Sequence, residues 1–194
     1  MKSYETHEFI LMDYLSEISI CDELIEYHKN SNKFLGKMGN EDDINTSRKK
    51  STDCILEEGD IFHKYVKQLL DVAQNYIELY PHCNNYSIWG INEHILIQHY
   101  CPPDEGFKTW HTERYGFESP SCYRHLVFMT YLNDVNDGGE TEFFHQNLKV
   151  KPKKGLTLIW PADWTHTHRG LISKTENKYV VTGWFSFLPK GIMI

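Results

Sequence analysis

Trp110-His111-Thr112-Glu113 places an imidazole and a carboxylate two residues apart. In an extended chain, residues i and i+2 point to the same face. His111 and Glu113 can therefore reach one metal while Trp110 and Thr112 face away. A third ligand must come from a strand lying opposite, which accounts for the long gap before His166-Thr167-His168-Arg169-Gly170. Two histidines and one carboxylate on one face of a metal are the donor set of non-haem Fe(II) sites, with the remaining positions left open. His166 and His168 share a face if their segment is extended, so the spacing alone leaves both as candidates.

The chain around this stretch reads as short strands. Candidates are residues 86–90, 94–100, 108–114, 125–132, 140–144, 148–150, 156–160, 165–169 and 178–187. Turn signals separate them at Pro102-Pro103-Asp104-Glu105-Gly106, Asp137-Gly138-Gly139 and Lys153-Lys154-Gly155. Many short strands with such turns predict a sandwich or jelly roll. Upstream, Phe9 to Leu15 reads as a strand. Ser16 or Ser19 then caps a helix that carries Leu24, Ile25 and Tyr27 to about His28. From Cys54 to Tyr80 apolar residues recur at three- and four-residue steps, which predicts a second helix. Asp53 is its candidate cap, Gly59 interrupts its first turns and Pro81 ends it. Between the helices, residues 30–53 are polar and lack a period. A loop of this length is either mobile or functional.

Length and composition fit one globular domain of 194 residues, 40% hydrophobic and 24% charged. We expect residues 1–85 to form a helical layer with the polar loop 30–53, and residues 86–188 to form the catalytic core. The net charge of -7 argues against a nucleic-acid partner. The five cysteines are widely spaced with no Cys-x-x-Cys, the usage of a reducing, cytoplasmic compartment. No apolar run reaches membrane-spanning length, so no membrane partner is expected.

Several further segments accompany the metal motif. They are Arg124 opening the run to Asp134, Gly138-Gly139-Glu140-Thr141-Glu142-Phe143, Trp160-Pro161, His168-Arg169-Gly170 and Lys178-Tyr179-Val180-Val181-Thr182-Gly183-Trp184. In this order, from about Tyr100 to Phe187, the chain resembles prolyl 4-hydroxylase-like Fe(II)- and 2-oxoglutarate-dependent dioxygenases, and most of all their small bacterial and phage-type members. The resemblance implies an α+β, mainly β fold: a double-stranded β-helix (a cupin-like jelly roll) with N-terminal helices packed on one sheet. It implies Fe(II), 2-oxoglutarate and O2, with ascorbate as a candidate reductant. The implied activity is hydroxylation of a C–H bond with decarboxylation of 2-oxoglutarate to succinate and CO2.

The resemblance also implies roles for single residues. His168 matches the family's His-x-Gly and lies ten residues before Lys178. With His111 and Glu113 it becomes the metal-binding, catalytic set, and His166 is left as a hydrogen-bonding neighbour or gate. The family pattern has Asp where this chain has Glu113, which reaches one methylene further. Lys178 is the expected anchor for the C5 carboxylate of 2-oxoglutarate, since a buried lysine is costly without an anionic partner. Tyr100, Thr182 and Trp184 are expected beside it. Arg124, Tyr115 and Trp164, with Phe117, are candidates on the substrate side, and the segment 30–53 corresponds to a lid.

A prolyl residue in a peptide or protein is the leading substrate, with a free amino acid or another small molecule as the alternative. A non-catalytic metal-binding jelly roll is the alternative of another class, but such a module has no use for Lys178. A zinc hydrolase would take a helical His-Glu-x-x-His or a three-histidine set, and the sequence has neither.

Overall fold

A computed structural model describes residues 4–37, 44–116 and 119–188. In chain order its strands begin with β1 (Glu5–His7), β2 (Ile10–Tyr14), β3 (Phe34–Leu35), β4 (Lys49–Lys50) and β5 (Thr52–Ile55). They continue with β6 (Trp89–Gly90), β7 (Leu96–Tyr100), β8 (Gly106–Phe107), β9 (Arg124–Tyr131) and β10 (Thr141–Phe143). The last are β11 (Leu148–Val150), β12 (Leu156–Pro161), β13 (His168–Gly170) and β14 (Lys178–Phe187). The helices are α1 (Ile20–Asn30) and α2 (Asp60–Leu79).

The large antiparallel sheet runs β1-β2-β12-β9-β14-β7-β5-β3, with β6 pairing β14. A small sheet has the order β11-β10-β13, and β4 pairs with β8. The period-two alternation of β9 and β14 sorts their residues onto two cores. Leu126, Phe128, Val181 and Phe185 pack with Tyr65, Leu69, Ala73 and Tyr76 of α2. Val127, Met129, Tyr131 and Val180 pack with Phe143 and Val150 of the small sheet. The large sheet is thus covered by helix on one face and by the small sheet on the other, as expected of a double-stranded β-helix. Each buried Val, Leu, Phe or Met side chain here contributes roughly 1.5–3 kcal/mol on burial. Gly183 marks the closest approach in this core, because a Cβ there would stand 2.4 Å from Cζ of Phe128.

Several expectations are corrected. The second helix begins at Asp60, not Cys54, because Thr52–Ile55 pairs with β7 as β5, and Asp53 is buried there rather than capping a helix. The first 85 residues are not only helical: β2 pairs with β12 and β5 with β7, so they extend the large sheet. Residues 108–114 form no strand. His111 makes one isolated bridge to His168, and the amides of Glu113 and Arg114 both donate to the carbonyl of Ala162. The polar segment 30–53 is held at its ends by β3 pairing β5 and β4 pairing β8. The lid expected there falls in part on residues 38–43, which lie outside the described residues. All five cysteines are free, as their spacing predicted, and burial pushes the thiols of Cys21 and Cys54 up to about 11.

Candidate active site

His111, Glu113 and His168 converge at the mouth between the sheets. One ligand atom from each lies within 4.8 Å of the others, a group able to hold one metal ion. Oε1 of Glu113 stands 3.5 Å from Nε2 of His111 and 3.5 Å from Nε2 of His168. The bridge between positions 111 and 168 brings the two imidazoles together. Its two backbone hydrogen bonds, each 3.0 Å, run from the amide of each histidine to the carbonyl of the other.

The donor set fits a divalent cation. Nδ1 of His111 lies 2.9 Å from the carbonyl of Thr109, and Nδ1 of His168 lies 2.9 Å from the carbonyl of His166. A carbonyl only accepts, so each Nδ1 carries the proton and each Nε2 presents its lone pair inward. Burial and the neighbouring His168 lower the pKa of His111, keeping it neutral. Burial pushes the Glu113 carboxyl up, but its place between the two imidazoles holds the group well below the usual range, so it stays a carboxylate. The rings are held by aromatic contact. Phe107 stacks on His111 at 3.6 Å, and Trp160 meets His168 edge-on at 5.1 Å.

The first histidine of the downstream motif, His166, stays outside the group. Residues Trp164–His166 form a 3-10 turn, so His166 and His168 do not share a face. The His166 ring lies 3.0 Å from the carbonyl of Glu8, and its own carbonyl orients His168.

Lys178, Val180, Thr182 and Trp184 alternate along β14 and line the same cavity of about 1130 Å³ as His111, Glu113 and His168. Lys178 is 5% exposed, and its Nζ donates to the carbonyl of Gly139 at 2.9 Å. The turn Gly138-Gly139 aims that carbonyl, with positive φ at both glycines (120° and 73°). The rings of Tyr100 and Tyr131 stand 5.0 and 5.9 Å from the ammonium. Among the described residues no carboxylate makes an ion pair with Lys178. Burial lowers its pKa to about 8, opposed by the charge of Glu140.

Other expected residues are distributed unevenly. Tyr100 lines the cavity, but its hydroxyl donates to Oε1 of Gln98 at 2.8 Å and is committed there. Arg124 and Tyr115 also line the cavity. Trp164 does not. It is 66% exposed on the outer side, edge-on to His145, because the 3-10 turn carries it away. Phe117 lies outside the described residues.

Three features had escaped sequence reading. Glu93 holds Arg124 in a two-pronged ion pair, Phe107 covers His111, and Gln98 joins Tyr100 to a buried Lys49–Asp53 pair. Gln98 alone had a sequence signal, since it sits two residues before Tyr100 on one strand.

Residues 95–186 match the model of the 2OG-Fe(II) oxygenase superfamily, and His111, Glu113, His168 and Lys178 fall inside the match. They form a 2OG-Fe(II) oxygenase domain. The oxygenase is accordingly a 2-oxoglutarate-dependent dioxygenase that works with Fe(II), 2-oxoglutarate and O2.

Its fold is similar to that of the viral collagen prolyl hydroxylase of Paramecium Bursaria Chlorella virus-1 in its 2OG complex, with a TM-score of 0.69 and 18% identity over 93% of this chain and 97% of that one. A Pseudomonas putida prolyl-4-hydroxylase matches with TM-score 0.70 and 13% identity over 95% of each chain. A Trichoplax adhaerens prolyl hydroxylase, in complex with a hypoxia inducible factor oxygen degradation domain peptide fragment, matches with TM-score 0.72 and 15% identity over 92% of this chain and 84% of that one. At these identities the likeness speaks for the fold. No curated protein matches the oxygenase in sequence. Among the described residues no helix is long and apolar enough to cross a membrane.

Proposed function

We propose that this oxygenase hydroxylates a prolyl residue in a peptide or protein, with decarboxylation of 2-oxoglutarate to succinate and CO2. In this reading His111, Glu113 and His168 hold Fe(II), which supplies the oxidising chemistry once 2-oxoglutarate and O2 are present. The chain's own part is to bind, orient and exclude water. His111 and His168 keep their lone pairs inward through their Nδ1 bonds to backbone carbonyls. Lys178 meets the C5 carboxylate of 2-oxoglutarate, and Thr182 and Val180 line the wall beside it.

The observation that carries the reading is the unpaired charge of Lys178. It sits in the same cavity as three converging metal-ligand atoms, where a buried ammonium is costly without a counter-ion. A dianionic cosubstrate provides that counter-ion. The peptide substrate is supported by the fold shared with prolyl hydroxylases, one of them in complex with a peptide fragment. It is supported too by the size of the cavity, about 1130 Å³. Ascorbate is the reductant we assign to uncoupled turnover.

The test is anaerobic addition of Fe(II) and then 2-oxoglutarate, read by the visible charge-transfer band. Mass spectrometry of a prolyl-peptide library and of free amino acids follows. A gain of one oxygen atom on a prolyl residue is the expected result. Oxidation of free amino acids alone would replace the peptide substrate, and absence of the band would remove the cosubstrate assignment.

A further inference from the structure

We propose that Trp184, Arg124 and Glu93 form a clamp that makes Glu113 a one-oxygen metal ligand, and that this clamp requires the longer glutamate side chain. The inference rests on the metal role of Glu113 proposed above. The two oxygens of Glu113 have different surroundings. Oε1 faces both imidazole Nε2 atoms at 3.5 Å. Oε2 is turned away and accepts from Nε1 of Trp184 at 3.0 Å and from Nη1 of Arg124 at 3.4 Å. Nη1 of Arg124 also donates to the backbone carbonyl of Glu113 at 3.0 Å, so one guanidinium nitrogen bonds both the main chain and the side chain of the ligand.

The donors are themselves held. Nε and Nη2 of Arg124 grip the Glu93 carboxylate, the shortest contact being 2.7 Å, and Ser186 donates to the same carboxylate at 3.2 Å. The guanidinium lies 3.5 Å from the centre of the Trp184 ring, so the two donors are stacked into one rigid unit. Arg124 is 9% exposed. Fixed donors on Oε2 leave Oε1 as the oxygen free for a cation. Aspartate at 113 would draw the carboxylate back by about 1.5 Å, one C–C bond. It could then meet the imidazole side or the Trp184–Arg124 side, but not both. Trp184, Arg124 and Glu93 are thus positioning residues, acting through Glu113.

The test is anaerobic calorimetry with Fe(II) alone on the full chain, comparing wild type, Glu113→Asp, Trp184→Phe and the double variant. Melting of each metal-free form is measured alongside. Partners of this kind typically change metal affinity by about 10–100-fold. Glu113→Asp is expected to bind Fe(II) at least ~10-fold more weakly although it keeps a carboxylate. Trp184→Phe is expected to lose a similar factor, and the double variant is expected to bind no more weakly than Glu113→Asp. That non-additivity is a signature that general loosening of the fold does not produce. Arg124→Lys, which keeps the charge but not the two-way reach, is a further variant expected to weaken binding should Trp184→Phe melt early. Wild-type affinity in Glu113→Asp, or losses that simply add, overturns the clamp while leaving the metal site standing. A wild-type chain that binds no Fe(II) overturns the metal reading and the clamp with it.

Discussion

Lys178 carries a conditional charge, and its consequences can be signed. Its pKa in the folded chain is lowered to about 8 by burial, against an ordinary value of 10.5. The folded state therefore holds fewer protons than the unfolded state between these values, and stability rises with pH across that window. Below about pH 8 the whole penalty, on the order of 3 kcal/mol, weighs on the ligand-free protein. Lys178→Met is accordingly expected to raise the melting temperature of the free protein at pH 7 while sharply raising the 2-oxoglutarate requirement. Thermal melts and titration calorimetry check the pair. In wild type the affinity for 2-oxoglutarate is expected to be flat below pH 8. It then falls about tenfold per pH unit above, because the dianion must recruit a proton to the amine. Comparing buffers of different ionisation enthalpy detects that proton.

The histidines separate just as cleanly. His111→Ala and His168→Ala are each expected to abolish Fe(II)-dependent succinate formation. His166→Ala is expected to reduce it only in part, because the His166 ring bonds Glu8 while its backbone carbonyl orients His168. A dead His166→Ala beside an active His168→Ala would reverse the assignment.

Strand β14 carries both a wall of the cavity and part of the core, on alternate residues. Gly183 faces α2's side of the sheet between Thr182 and Trp184, and the Phe128 ring occupies the place of its missing side chain. Gly183→Ala is expected to lower stability by about 1–3 kcal/mol through overpacking. It is also expected to weaken Fe(II) binding by displacing Trp184 from Glu113, a joint loss read by denaturant melts and calorimetry. On α2, Leu69 is fully buried against the sheet. Leu69→Ala is expected to cost about 2–5 kcal/mol with Fe(II) affinity unchanged in the folded fraction, since α2 contributes no residue to the cavity. The helix was legible because its apolar stripe recurs over five turns. Its start was not: Cys54-Ile55-Leu56 fits a helical or a strand pattern equally, and pairing with β7 decided for strand.

The assembled site couples to folding as a whole, because His111 and Glu113 come from the segment after β8, His168 from β13 and Lys178 from β14, far apart in the chain. Fe(II) at 100 times its dissociation constant is expected to stabilise the native state by about 2.7 kcal/mol. Added 2-oxoglutarate raises melting further, and a chelator removes both increments. A melting temperature indifferent to Fe(II) would mean that no site preassembled in the native state binds it.

Sequence alone determined the donor types, their spacing, the distance from His168 to Lys178 and the alternation that puts Lys178, Thr182 and Trp184 on one face. Those are local properties of residue order. Only tertiary structure set His168, and not His166, beside His111 and Glu113, because a 3-10 turn replaced the expected strand and rotated the His166 ring away. Only it placed Trp164 outside the cavity and revealed Glu93 behind Arg124. Glu93 lies 31 residues from Arg124 and 20 from Glu113 in the chain, and no periodicity links residues that meet only when strands close upon one another.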